Sequence, residues 1–211
     1  DEALANYGAD AMRWYLLSSP VLRGADIAVD AKGFAESVRA VLLPLWNAFS
    51  FFTMYANVDR IAGERRANAT GVLDRYALAK TRELVETVTA RMDSYDIAGA
   101  ASAIGSYLDA LTNWYIRRSR ERFWSPLADA ESDKADAYDT LYTCLLNLCE
   151  VAAPLLPLVG EHIYRALSDA QSVHLQDWPD PAALPDDPDL VATMDRVRDV
   201  CSAALSVRKA N

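Results

Sequence analysis

Residues 97–124 read IAGAASAIGSYLDALTNWYIRRSRERFW, an unbroken stretch without proline that begins directly after Asp96. Apolar residues recur at helical spacing along one side of this stretch. They are Ile97, Ala101, Ile104, Leu108, Leu111 and Tyr115. The spacing predicts a long amphipathic helix with Asp96 as its N-cap, because a side-chain oxygen there can accept a hydrogen bond from the first turn. Such an apolar stripe needs other helices to cover it.

Helical patterns also cover most of the remaining chain. They extend over residues 3–18, 31–57, 74–95, 134–152, 156–168 and 189–208. No strand-rich segment or internal repeat separates them. Since apolar stripes must be buried on one another and short loops favour antiparallel neighbours, the pattern predicts an all-α fold. We expect an antiparallel helical bundle of four to five long helices.

Individual residues mark the expected ends of these helices. Asp30 and Asp74 are further candidate N-caps. Pro44 is expected to kink the segment 31–57, because proline removes one backbone donor. Three segments are predicted to be connections: 21–30, 57–71 and 169–188.

The composition describes a globular chain of 211 residues, of which 52% are hydrophobic. No run approaches the ~20 apolar residues that span a bilayer, so no membrane partner is expected. Three cysteines, Cys144, Cys149 and Cys201, have no CxxC spacing, which predicts neither disulfide bonds nor a zinc knuckle. This cysteine usage favours the cytoplasm.

Side chains that could catalyse a reaction or bind a metal are isolated in the sequence. His162 and His174 have no cysteine, aspartate or second histidine at ligand spacing, so no metal site is predicted. Ser18, Ser19 and Ser119 lack a local base, and no nucleophile is predicted. We interpret six further large aromatic residues as core. These are Trp14, Trp46, Phe49, Phe51, Phe52 and Tyr55.

The formal net charge of −9 argues against a nucleic-acid binder. A third of the acids, however, lie in two clusters that we interpret as solvated surface. They are Asp129, Glu131, Asp133, Asp136 and Asp139, and then Asp177, Asp180, Asp186, Asp187 and Asp189. A local positive patch outside these clusters can still bind a phosphate backbone.

Such a patch is present in residues 113–124, which contain four arginines, four large aromatic residues and one glutamate. Arginine matches phosphate oxygens, and aromatic rings offer faces on which unpaired bases stack. A second interpretation stays open at this point. The segment could be a helix end whose arginines extend to solvent around buried aromatic residues.

Helical geometry at ~100° per residue divides these side chains into two sets. Arg118 and Arg122 continue the apolar face that passes through Tyr115, so we expect them to extend the bundle seam and to pair with carboxylates or helix-end carbonyls. The opposite face is expected to present Asn113, Arg117, Arg120 and Trp124 to solvent, where they could contact RNA.

The residue order of four segments identifies a family more specifically than their composition does. Asn113–Trp124 resembles the NWYIRRSR-x-RFW segment of isoleucyl-tRNA synthetases, which are class I synthetases. Three other segments match in the family's order. Tyr7–Pro20 resembles the stretch after the catalytic KMSKS loop, Leu42–Asn47 the LLPLWN helix, and Ser172–Pro179 the SVHL-x-DWP segment that closes the helical domain. The resemblance covers nearly the whole chain.

Neither the HIGH motif nor the KMSKS loop, with which class I synthetases hold ATP, occurs in the sequence. The resemblance therefore implies an excised anticodon-binding domain that is inactive alone and has no cofactor of its own, with ATP and magnesium used by the catalytic part of the parent enzyme. It implies three regions. Residues 1–30 would join the catalytic domain, 31–188 would form the anticodon-binding domain, and 189–211 would begin a C-terminal region.

The implied partners are isoleucine tRNA and the catalytic domain of the same chain, without DNA. The candidate tRNA-binding residues are Asn113, Arg117, Arg120, Trp124, Arg118, Arg122 and Arg13. Arg13 is included because the family's linker passes the inner side of the tRNA. Two alternatives stay open: the anticodon domain of a valine, leucine or methionine ligase, and a helical scaffold that binds protein and no RNA.

Overall fold

The computed structural model describes residues 2–27, 29–125 and 131–210, and no strand occurs within these ranges. The predicted all-α class is confirmed. The described residues form the helices α1 (Glu2–Leu17), α2 (Ala31–Ser37), α3 (Leu43–Asp59), α4 (Val72–Asp93), α5 (Ile97–Asp109), α6 (Arg117–Trp124), α7 (Glu131–Ala152), α8 (Pro157–Leu167) and α9 (Pro188–Ala210). Two wide π turns, Val38–Leu42 and Ala110–Ile116, join α2 to α3 and α5 to α6.

The core lies between α3, α4, α5 and α7. Helix α4 packs along both α5 and α7, and only residues 94–96 separate it from α5, so the two helices run antiparallel. Helix α7 is the most deeply buried of the described helices. Its fully buried side chains include Tyr138, Leu141, Leu145, Leu148 and Cys149. Burying one such leucine stabilises the fold by ~1.5–3 kcal/mol relative to leaving it exposed.

Two polar side chains, Asp10 and Arg13, fix helix α1 to the end of this bundle. The buried Asp10 carboxylate accepts hydrogen bonds from the backbone of Leu158 (3.1 Å) and Val159 (2.7 Å), so it caps the start of α8. The Arg13 guanidinium donates to the Pro154 carbonyl at 2.8 Å. Within α1 the helical geometry is interrupted at Gly8, where φ is 79° and ψ is 165°.

The structure confirms two of the three predicted N-caps. Asp30 accepts from the Gly33 amide at 2.8 Å, and Asp96 accepts from the Gly99 amide at 3.2 Å. The prediction for Asp74 was wrong. Helix α4 begins before it, at Val72, and the fully buried Asp74 side chain turns into the bundle. A buried carboxylate needs partners, and these come from distant parts of the chain.

Two further expectations require correction. Trp46 is 41% exposed, so its assignment to the core was wrong; its ring stacks on His162, with centroids 5.5 Å apart. The acidic cluster after residue 125 is only partly solvated. Asp139 is buried and pairs with Arg66 at 2.8 Å, because a neighbouring loop brings that cation over α7. Asp129 lies outside the described residues.

The segment containing Pro44 does not continue as one regular helix. Pro44 lies in the first turn of α3, directly after the π turn Val38–Leu42. A proline ring clashes with the carbonyl four residues earlier, and a wider turn relieves that clash. Across the described chain, no helix is both long enough and apolar enough to cross a membrane.

Candidate nucleic-acid interface

The site is built on one helical column that includes α5, the π turn Ala110–Ile116 and α6. A π turn bonds each amide to a carbonyl five residues earlier and so accommodates one extra residue. Every residue after it is rotated by about 100° relative to an uninterrupted α-helix. The π turn therefore decides which side chains of α6 face the core.

This rotation corrects the predicted seam. Ser119 and Phe123 are the buried residues of α6, whereas Arg118 is exposed. The expectation that Arg118 extends the seam was wrong, because the apolar spacing before the turn was continued through it without the extra residue. Arg118 instead lies over the ring of Trp114, with its guanidinium carbon 4.0 Å from the ring centroid. This geometry is typical of a cation–π contact.

Arg122 does extend the seam, as expected. Its Nη1 and Nη2 donate to Oδ1 and Oδ2 of Asp74, both at 2.8 Å, and its Nε donates to Asp133 at 2.9 Å. The Tyr115 hydroxyl donates to Asp74 at 2.7 Å. Burial, together with the neighbouring Asp74 charge, raises the pKa of Tyr115 well above its ordinary value. This network fixes α6 to α4 and occupies Arg122.

Burial alone would lower the pKa of the Arg122 guanidinium, but its bonds to Asp74 outweigh this effect and raise the pKa. The side chain therefore stays charged and satisfied inside the protein. Its position gives Arg122 a structural role in the described residues. RNA contact by this residue, one of the seven candidates, has no geometric support here.

The outward face carries the remaining candidates of the run. Asn113, Arg117, Arg120 and Trp124 are exposed, as the helical spacing predicts. Among the described residues, neither the Arg117 nor the Arg120 side chain has a hydrogen-bond or ion-pair partner. Two charged donors without partners are available to an anionic ligand.

Trp124 is held in place although it is 57% exposed. Its indole nitrogen donates to the Tyr55 hydroxyl at 2.6 Å, and Tyr55 packs on Phe51 with ring centroids 4.9 Å apart. The neighbouring Phe123 is buried against Tyr138, again at 4.9 Å. An aromatic cluster thus presents the Trp124 ring to solvent at a fixed position, as a stacking surface requires.

A groove of about 520 Å³ lies beside this face, between the π turn with α6 on one side and α9 on the other. Trp114, Arg117 and Arg118 belong to the first wall, and Arg198 and Ser202 to the second. Arg198 lies far from the arginine run in sequence, and nothing in its local pattern indicates this position. Sequence reasoning therefore missed it.

Arg13 is not brought together with the other candidates. It contacts Pro154, just beyond the C-terminal end of α7, whereas Arg122 contacts Asp133 near the N-terminal end of that helix. At ~1.5 Å per residue, these contacts lie on the order of 30 Å apart. The exposed Arg13 side chain is also engaged with a helix-end carbonyl, as a helix-fixing residue would be.

The described side chains contain no group of three or more histidine, cysteine, aspartate or glutamate residues that could hold a metal ion. The two histidines have other contacts. His162 stacks on Trp46, and the His174 ring nitrogen lies 3.1 Å from the Pro157 carbonyl. What the site offers a ligand is therefore cationic and aromatic side chains.

A sequence model of the family described as "Anticodon-binding domain of tRNA ligase" matches residues 74–211. The chain is similar to isoleucine–tRNA ligases of Leifsonia xyli (56% identity over 96% of this chain), Nocardia farcinica (50% over 100%) and Mycobacterium tuberculosis (52% over 96%). It spans only 18–19% of the length of these relatives.

The fold also resembles a solved structure, the ternary complex of an Agrobacterium radiobacter LeuRS with tRNA and LeuAMS. The similarity has a TM-score of 0.60 at 17% identity and covers 90% of this chain and 21% of that one. At this identity, the match supports the fold alone. Taken with the family match, the helical architecture shows that the chain belongs to the family of anticodon-binding domains of tRNA ligases, with isoleucine–tRNA ligases among its relatives.

Proposed function

We propose that this chain grips the anticodon stem-loop of isoleucine tRNA through the outward face Asn113, Arg117, Arg120 and Trp124. The observation that carries the proposal is that the Arg117 and Arg120 side chains have no polar partner among the described residues, where most other arginines are paired. These cations stand beside an exposed tryptophan on one rigid helix.

This arrangement suits an RNA loop better than a duplex. Loop bases are unstacked, so they can lie on an aromatic ring while the flanking phosphates meet arginines. A fixed aromatic surface loses little freedom when a base binds to it. The acidic body of the protein repels the phosphate backbone at long range, and we therefore expect modest, salt-sensitive affinity.

In a parent enzyme, we propose, this domain positions isoleucine tRNA while a catalytic domain attaches isoleucine with ATP and magnesium. The three regions 1–30, 31–188 and 189–211 remain our proposed division, and the cytoplasm our proposed location. This chain alone should show no isoleucine-dependent ATP–pyrophosphate exchange, because it lacks the HIGH and KMSKS motifs.

Titration of this chain with fluorescent RNA hairpins tests the proposal. The hairpins carry the isoleucine, valine, leucine and methionine anticodon stem-loop sequences, and a duplex of the stem sequence serves as a control. Preference for the isoleucine hairpin, with binding weakened in Arg117→Gln and Arg120→Gln, supports the proposed function. Preference for another hairpin points to a related ligase. No binding to any hairpin, even in dilute salt, points to a protein-binding scaffold.

A further inference from the structure

The groove beside the arginine run has a second wall that the proposed function does not use. This wall is α9, which contributes Arg198, Asp199, Cys201, Ser202 and Leu205. The volume of the groove, about 520 Å³, lies within the ~300–1,000 Å³ typical of sites for small organic groups.

The floor and rim of the groove favour a flat, anionic ligand. Arg118 covers the ring of Trp114 at 4.0 Å, which creates a planar surface that is both aromatic and cationic. The indole nitrogen of Trp114 is buried without a hydrogen-bond partner among the described residues, so the ring is held by packing rather than by a polar bond. Arginine planes and aromatic rings are the surfaces on which RNA bases stack.

The charges around this surface leave a positive excess for a phosphate. Three arginines line the groove against two aspartates, Asp109 and Asp199. One of these acids, Asp109, is already paired with Arg198 at 2.8 Å. Arg117 and Arg118 have no carboxylate partner in the described chain and face a single unpaired acid. A phosphate next to a stacked base would meet these two guanidinium groups.

The two walls are held at a fixed separation by the same acid. Asp109 accepts from Asn113 on its own helix at 2.7 Å and from Arg198 on α9 at 2.8 Å. Arg198 is in turn bound to Asp195 at 2.8 Å, and Asp195 accepts from Lys80 on α4 at 2.7 Å. The groove is therefore formed before any ligand enters, which lowers the entropy cost of binding.

We infer that this groove receives one unpaired nucleotide of the bound RNA loop, with its base on the Trp114–Arg118 surface and α9 as the opposite wall. The inference rests on the proposed function and extends it in one respect. Helix α9, which the sequence assigns to a separate C-terminal region, becomes part of the RNA site.

Two substitutions and a matched control test the role of the groove. Ser202→Phe fills it from an exposed position on α9, and Arg118→Gln removes the cation from the stacking surface. Arg196→Gln removes one positive charge from an exposed position of α9 that does not line the groove. We expect the first two to weaken binding of the isoleucine hairpin by about tenfold or more, the effect of losing one stacked base. The control should bind like the unaltered chain.

A fluorescent base analogue locates the nucleotide. On binding, hairpins that carry 2-aminopurine at single loop positions should lose fluorescence at the position that stacks on Trp124 and at one further position, the nucleotide in the groove, because stacking quenches this base. Only the quenching at the groove position should disappear in Ser202→Phe. Thermal melting of each variant shows whether the fold is retained.

Cys201 provides a test that needs no substitution. It is half-buried on the groove wall, whereas Cys144 and Cys149 are fully buried in α7. Alkylation of the folded chain should therefore modify Cys201 first, and the isoleucine hairpin should slow this reaction. The stem duplex and poly-glutamate at equal charge should slow it much less.

The outcomes separate the two proposals. If the chain binds no hairpin, the proposed function fails and this inference fails with it. If the unaltered chain binds the hairpin but folded Ser202→Phe binds equally well, the groove is not the receptor and the proposed function stands. If Ser202→Phe does not fold, Cys201 decides: protection by the hairpin supports the inference, and equal protection by poly-glutamate or no protection overturns it.

Discussion

Arg122 and Asp74 form a bidentate ion pair beneath α6, with both N–O distances at 2.8 Å and the carboxylate fully buried. They are 48 residues apart in sequence. The pair joins α6 to α4 under the face proposed to bind RNA. Arg122 therefore supports the proposed RNA-binding surface from beneath, whereas Arg117 and Arg120 form that surface.

Replacing Arg122 should destabilise the fold far more than replacing Arg118. Arg122→Ala leaves the Asp74 charge buried without its main partner, at a cost of about 3–5 kcal/mol in free energy of unfolding. Arg118→Ala removes an exposed cation and should change this free energy by no more than about 1 kcal/mol. Urea unfolding followed by circular dichroism measures both. Equal losses in the two variants would contradict the rotation caused by the π turn.

Removing Arg117 or Arg120 should weaken RNA binding and leave the fold intact. We expect Arg117→Gln and Arg120→Gln to change the free energy of unfolding by less than about 0.5 kcal/mol, since both side chains are exposed without partners in the described chain. If each contacts one phosphate, the slope of log K against log salt should fall by about 0.7–0.9 per variant. Arg39→Gln, an exposed site on the turn between α2 and α3, is the control. An unchanged slope in both variants would exclude these arginines as phosphate ligands.

Acid should weaken the attachment of α9 through Asp195. Burial would raise the pKa of this carboxyl, but hydrogen bonds from Lys80, Tyr76 and Arg198 outweigh burial and lower it. Because the folded-state pKa is lowered, Asp195 stabilises the protein above the ordinary aspartate value of about 3.9, and this contribution is lost as the pH falls through the lowered pKa. The stability difference between the unaltered chain and Asp195→Asn should be constant from neutral pH to about pH 5 and shrink below about pH 4.

Denaturant titrations across this range measure that difference. Asp199→Asn is the matched control, because Asp199 is an exposed neighbour without a hydrogen-bond or ion-pair partner in the described chain. Its stability difference should stay near zero throughout. A difference for Asp195→Asn that grows on acidification would show that the pKa shift has the opposite direction.

Replacing two glycines by alanine should change the stability of the protein in opposite directions. Gly8 has φ at +79° and ψ at 165°, and a Cβ there would meet nothing within 4 Å. Gly8→Ala should therefore destabilise the protein through the backbone alone, by about 1–3 kcal/mol. Gly105 lies inside α5 with open space around it. Gly105→Ala should stabilise by about 0.5–1 kcal/mol. Thermal melting compares the two, and a loss of similar size in both would contradict the geometry at Gly8.

The features that the sequence predicted well depend on residues that are close together in the chain. The positions and the order of the helices follow from apolar spacing. The predicted exposure of Arg117 and Arg120 is confirmed, although the π turn shifts the register of α6. The failures come from contacts or registers that spacing does not encode. The local sequence around Asp74 predicts an N-cap, but the folded chain pairs this residue with Arg122. Arg198 lines the groove because it binds Asp109, which is 89 residues away in sequence.

The π turn between α5 and α6 makes chain length at this point as consequential as residue identity. If Ala110–Ile116 formed a regular α-helix with all seven residues kept, all of α6 would turn by about 100°. Arg118 would then point towards the core and Phe123 away from it, although no side chain of α6 had changed. A relative with one residue fewer in this turn would keep the same faces of α6 in a regular α-helix. An alignment that places no gap here would therefore match buried positions of α6 with exposed ones.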